Sequence, residues 1–122
     1  MWALKLPKTK RPICTIRRLA EACNVLRLGD IGKLFSDKNK KYKNIRSTIL
    51  LKKIIDQLKL KNYSINNIDI NIIAQKPKIS KFKKKMIQLI SDICEIQKSQ
   101  INIKAKTTEK LGIIGKEKAI AC

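Results

Sequence analysis

The chain contains no histidine, and only nine acidic residues stand against 29 lysines and arginines. Without imidazole it lacks the commonest zinc ligand and the side chain that most often moves protons near neutral pH. Aromatic residues make up 4% of the sequence, so the core must be aliphatic, and the lysine clusters have no stacking platform for bases beside them. The apolar runs are far too short for a membrane span, which argues against a membrane partner. Met1–Pro12 has no apolar stretch of the kind a secretory signal needs. Cys14, Cys23, Cys94 and Cys122 form no C-x-x-C pair, which excludes a zinc ribbon and points to a reducing compartment. A cytoplasmic location is expected. A plastid-type organelle is the alternative, because the first acid is Glu21.

What is present is enough for one domain: 122 residues, 43% of them hydrophobic, with isoleucine dominant. The net charge of +20 raises a small basic RNA-binding protein as one function class. Lys, Ile and Asn are also the residues of AT-rich codons, and the lysines run along the whole chain. Clusters occur at Lys38/Lys40/Lys41/Lys43 and Lys81/Lys83/Lys84/Lys85. A nucleic-acid partner is therefore the weaker expectation.

Arginine usage breaks near residue 27. Arg11, Arg17, Arg18 and Arg27 precede the seam and only Arg46 follows it, whereas lysine does the reverse. Trp2, the one tryptophan, also lies before it. Residues 1–27 are expected to be a distinct basic segment, out of frame or joined to a domain spanning 28–122.

Beyond the seam, Ile45, Ile49, Leu50, Ile54 and Leu58 recur at helical spacing and predict a helix over Arg46–Leu60. Alternating isoleucines predict a strand over Ile65–Ala74, stopped by Pro77. Ser80 is placed to cap a helix over Lys81–Ile93, with Phe82, Met86, Leu89, Ile90 and Ile93 on one side. Ile101–Ala105 alternates as a second strand, and Gly112/Gly115 mark a turn. Strand, helix, strand implies parallel pairing through a crossover helix.

Three stretches carry candidate chemistry. In Gly29-Asp-Ile-Gly32, glycine frees the backbone and Asp30 can accept a hydroxyl, though a helix C-cap with a turn explains the same residues. Ala74, Pro77 and Lys78 end the first strand. Thr107, Thr108, Glu109 and Lys110 are the densest group: hydroxyls suit phosphate oxygens, a carboxylate suits a hard cation that bridges phosphates, and a lysine adds a point charge. Taken alone, this too is an ordinary polar turn.

Together, Leu28-Gly-Asp-Ile-Gly-Lys-Leu-Phe35, Asn71-Ile-Ile-Ala-Gln-Lys-Pro-Lys78 and Asn102–Lys116 resemble the 2-C-methyl-D-erythritol 2,4-cyclodiphosphate synthase family, from about Leu28 to Cys122. The resemblance implies an α+β fold. It has a mixed sheet packed on helices on one face, and a homotrimer with sites between subunits. The N-terminal strands and the last strand are expected to be missing here. It implies an enzyme of the non-mevalonate isoprenoid pathway, a phosphorus-oxygen lyase. That enzyme converts 4-diphosphocytidyl-2-C-methyl-D-erythritol 2-phosphate to the 2,4-cyclodiphosphate with release of CMP. By this resemblance Asp30, Gly32 and Asp37 lie near the erythritol part. Ala74, Pro77, Lys78, Ala105 and Thr107 form the cytidine pocket. Thr107, Thr108 and Glu109 serve the diphosphate, Glu109 holds magnesium or manganese, and Lys116 stands where arginine is usual, losing bidentate geometry. Lys106 and Ile113 depart from the family's threonine and phenylalanine. The family's zinc needs an Asp-x-His and a second histidine, whose position falls on Ile16, so no zinc ligands are found. The chain as written is thus expected to be a poorly folded, impaired cyclase. A non-catalytic nucleotide-binding remnant is the remaining alternative.

Overall fold

The computed structural model describes residues 4–5, 35–36, 38–42 and 45–122. Helix α1, Ser47–Leu60, buries Leu50, Leu51, Ile54, Ile55 and Leu58. These positions recur every three or four residues, so they form one stripe, and Lys52 and Asp56 between them stay exposed. Asn62 takes a left-handed φ of 60°, and Tyr63 N–H donates to the Leu58 carbonyl at 3.0 Å, closing the helix.

Strand β2, Ile68–Ile73, pairs in parallel with β3, Ile101–Lys106, in the register Ile68–Ile101 through Ile73–Lys106. Ile68, Ile70, Ile72, Ile101 and Ile103 point into the core, while Asp69, Asn71, Asn102 and Lys104 face out. The outer face is linked across the strands: Asn102 Nδ2 donates to Asp69 Oδ1 and Lys104 Nζ to Asp69 Oδ2, both at 3.1 Å. The crossover is α2, Lys83–Cys94, which buries Met86, Ile90 and Cys94. Both helices therefore cover the isoleucine face of the sheet. The short helical turn α3, Gly112–Gly115, follows β3 and leads into β4, Ala119–Ile120.

The α+β class and the helices on one face agree with expectation. In place of one mixed sheet there are two two-stranded sheets, the parallel β2–β3 pair and an antiparallel β1–β4 pair, linked where Ile73 and Ala121 exchange backbone hydrogen bonds of 2.8 and 3.0 Å in an antiparallel bridge. Two-residue strands also occur near both ends of the chain: β1, Leu4–Lys5, pairs antiparallel with β4. The small residues Ala119 and Ala121 are buried there, which lets the chain end run against β2.

Two boundaries also move. A 3-10 turn, Ile79–Lys81, precedes α2, so Ser80 lies inside that turn, and Phe82 holds the N-cap position without a side-chain cap. The first strand starts at Ile68 rather than Ile65 because its parallel neighbour begins at Ile101. The Asn66 carbonyl is instead taken by Gln100 Nε2 at 2.5 Å.

Candidate functional site

Parallel strands deliver their C-terminal ends to the same edge of a sheet, where ligands of such sheets commonly sit. Here β2 and β3 deliver two loops side by side, 74–78 and 107–111. The ladder runs one step past the strands, with Ala74 N–H donating to the Lys106 carbonyl at 3.0 Å. Farther out, the Gln75 side-chain oxygen accepts the Lys110 N–H at 3.2 Å. Lys76 Nζ lies 2.9 Å from Glu117 Oε1, tying the first loop to the segment after α3.

The second loop is built by its own side chains. Thr107 Oγ1 donates to Glu109 Oε1 at 2.5 Å. Thr108 Oγ1 donates to the Leu111 carbonyl at 2.9 Å, and Leu111 N–H returns to the Thr108 carbonyl at 2.9 Å. Glu109 and Lys110 are both left-handed, with φ of 50° and 65°. Gly115 is what makes room for this: a Cβ there would meet the Lys110 carbonyl carbon at 2.1 Å. The Thr-Thr-Glu-Lys run is thus held in one shape by a glycine several residues downstream.

Eight of the expected residues fall on the two loops or beside them in the chain. Ala74 is buried at the end of β2, Pro77 is half-buried after a cis peptide, and Lys78 is exposed. Ala105 pairs with Ile72 near the end of β3. Thr107 and Glu109 are exposed, Thr108 is half-buried, and Lys116 is exposed at the end of α3. Asp30, Gly32 and Asp37 lie outside the described residues, as do Ile16, Cys14 and Cys23. Gln75 and the packing role of Gly115 were not foreseen: both act across loops, and no local spacing signals either.

Six exposed lysines, Lys76, Lys78, Lys106, Lys110, Lys116 and Lys118, lie on the two loops and the segments next to them in the chain, against Glu109 and Glu117. Such a field attracts polyanions. Magnesium is usually bound through one or two carboxylates, with waters and substrate phosphates completing its shell. Glu109 fits that pattern: Thr107 occupies one carboxylate oxygen, and the side chain is exposed. Zinc does not fit. The sequence has no histidine, and no group of three His, Cys, Asp or Glu suited to a metal occurs among the described residues. No helix among them is long and apolar enough to cross a membrane.

The model of the YgbB family matches residues 19–122, opening ahead of the Leu28 border. A bifunctional enzyme IspD/IspF of Pelagibacter ubique is 70% identical over 95 residues, covering 78% of this chain and 26% of that protein. A 2-C-methyl-D-erythritol 2,4-cyclodiphosphate synthase of Francisella tularensis subsp. novicida is 55% identical over 96 residues, covering 79% of this chain and 60% of that protein. Among solved structures, the CDP complex of IspF from Plasmodium falciparum shares the fold with a TM-score of 0.74 at 41% identity, covering 94% of this chain and 69% of that one. The chain spans between 26% and 60% of the length of these two curated relatives. The matched span runs through both loops and the parallel strands that carry them, and the chain belongs to the YgbB family, with the 2-C-methyl-D-erythritol 2,4-cyclodiphosphate synthases among its relatives.

Proposed function

We propose that the edge formed by loops 74–78 and 107–111 binds a cytidine diphosphate group, as part of a cyclodiphosphate synthase of isoprenoid biosynthesis. The observation that carries this is the stitched pair of loops at the C-terminal ends of β2 and β3. Support comes from the CDP complex of the 41% identical Plasmodium protein.

In this scheme the backbone of Ala74–Lys78 and Ala105 receives the cytosine. Thr107 and Thr108 offer hydroxyls to the diphosphate, and Lys78, Lys110 and Lys116 neutralise it. The reaction is an internal attack of the substrate's 2-phosphate oxygen on its β-phosphorus, with CMP as leaving group. A chain catalyses such a step mainly by holding the two phosphates together and cancelling their repulsion. A magnesium or manganese ion held at Glu109 would supply Lewis-acid polarisation of the phosphates. The zinc that the family resemblance implies has no ligand set among the described residues.

The functional unit in this proposal is a homotrimer with sites between neighbours. The exposed Leu111 and Ile113, 72% and 62% accessible beside the site, are apolar surface that a second copy would cover. The test is calorimetric titration of the purified chain with CDP, with and without Mg²⁺, beside a titration with inorganic pyrophosphate. Binding of CDP that strengthens with Mg²⁺ and exceeds that of pyrophosphate supports the assignment. Equal weak binding of both, lost at high salt, reduces the site to a non-specific basic surface. CMP release from the full substrate separates a cyclase from a nucleotide-binding remnant.

A further inference from the structure

The cytidine loop and the phosphate loop come from different strands, 35 residues apart in sequence at their point of contact. Two links join them. The inner one is backbone to backbone, Ala74 N–H to the Lys106 carbonyl, and continues the strand ladder. The outer one is the Gln75 side chain, which accepts the Lys110 N–H. That N–H belongs to the left-handed Glu109–Lys110 pair, on the peptide that follows the Glu109 carboxylate. The loop is packed from below by Gly115 against the Lys110 carbonyl. Lys110 is therefore held at both its faces, by a glycine on one and by Gln75 on the other.

We infer that Gln75 is a positioning residue that couples the nucleobase loop to the metal- and phosphate-bearing turn. Its side chain leaves the loop assigned to cytidine and fixes the backbone at Glu109–Lys110. Occupation of one loop then orders the other, so a base and a metal-bound diphosphate reinforce each other's binding. Such coupling is reciprocal by linkage: if Mg²⁺ strengthens CDP binding by a given factor, CDP strengthens Mg²⁺ binding equally. The inference rests on the cytidine diphosphate assignment above.

The experiment uses the whole chain with CDP, CMP and Mg²⁺, and compares wild type with Gln75→Met and Gln75→Glu. Methionine keeps the side-chain length without the acceptor; glutamate keeps the acceptor. In wild type, Mg²⁺ is expected to strengthen CDP binding. Gln75→Met should lose about fivefold of that strengthening, the worth of one hydrogen bond. The loss is read against each variant's own Mg²⁺-free CDP binding, and Gln75→Glu should restore the coupling. Amide exchange at Lys110 should accelerate in Gln75→Met and recover in Gln75→Glu, with other amides of β2 and β3 unchanged. A merely structural side chain would weaken CMP and CDP alike. A wild type whose CDP binding ignores Mg²⁺ overturns the assignment of the site itself. A wild type that shows the Mg²⁺ effect, matched in full by Gln75→Met, overturns the coupling alone. An unchanged Lys110 exchange rate in Gln75→Met overturns it as well.

Discussion

Replacing Gly115 with alanine tests whether the left-handed turn at Glu109–Lys110 is locked by packing. The added Cβ would lie 2.1 Å from the Lys110 carbonyl carbon, 2.5 Å from its oxygen and 2.6 Å from its Cα. The first of these is about 1.3 Å short of ordinary contact at 3.4 Å. All three obstacles are backbone, so no side-chain rotation relieves them. The Lys110–Leu111 peptide must move, and it is held by the Leu111 N–H to Thr108 carbonyl bond, with the Gln75 bond on the peptide before it. Overpacking costs about 1–3 kcal/mol, and a backbone obstacle places this case near the top, at about 3 kcal/mol. At about 4 °C per kcal/mol for a chain of this size, Tm should fall by roughly 12 °C. Gly112→Ala is the control. Gly112 has φ of 66° but open space around its Cβ, so it pays only the left-handed penalty of about 1–2 kcal/mol. Thermal unfolding by circular dichroism decides between them. A Gly115→Ala loss equal to or smaller than that of Gly112→Ala refutes the steric lock.

Other perturbations separate core, surface and site. Ile90→Ala removes a fully buried side chain from α2, and urea unfolding should show a loss of about 2–5 kcal/mol with the slope unchanged. Glu109→Gln removes an exposed carboxylate, so stability should stay within about 0.5 kcal/mol while the Mg²⁺ enhancement of CDP binding is lost in calorimetry. Glu95 accepts from Lys59 and Lys52, and these two ammonium groups, Lys59 foremost, hold its carboxyl below the ordinary value of 4.5. A depressed carboxyl stabilises the fold above its unfolded pKa and ceases to do so as pH falls through its folded pKa. The stability gap between wild type and Glu95→Gln should therefore be present at neutral pH, shrink below about pH 4.5, and shrink in high salt as well.

The helices and strands were readable because burial on one side imposes a period. Leu50, Leu51, Ile54, Ile55 and Leu58 write out a helix face, and Ile68, Ile70 and Ile72 write out a strand face. Ser80 misled because a hydroxyl before an apolar run looks like a cap, while here a 3-10 turn intervenes and Ser80 lies inside it. The Thr107–Lys110 turn stood out by composition, and its residues do converge with Ala74–Lys78. What composition could not reveal is how the convergence is held. The Gln75 bond spans 35 positions, and Gly115 acts through the space it leaves under Lys110. Both are tertiary facts with no local periodicity. Gly112–Gly115 likewise reads as a turn from sequence, yet forms a helical turn, because Gly115 N–H reaches the Leu111 carbonyl at 3.0 Å and Lys116 N–H the Gly112 carbonyl at 3.1 Å.

In the proposed scheme the nucleotide edge and the zinc requirement are separable. The links that shape the edge run from Ile73 to Ala121: ladder, Gln75 bond, Thr107–Glu109 bond, Lys76–Glu117 pair and antiparallel bridge. That edge can therefore be formed without any ligand for zinc. Zinc in a cyclase assembly would have to draw its imidazoles from outside these 122 residues, since the sequence holds none. Adding a histidine-bearing partner or a longer form of the chain should accordingly change turnover while leaving Mg²⁺-coupled CDP binding at the edge within about twofold, because the links named above all lie within residues 73–121. If CDP binding instead appears only with the added segment, the edge depends on contacts from that segment, and the half-site is not self-sufficient.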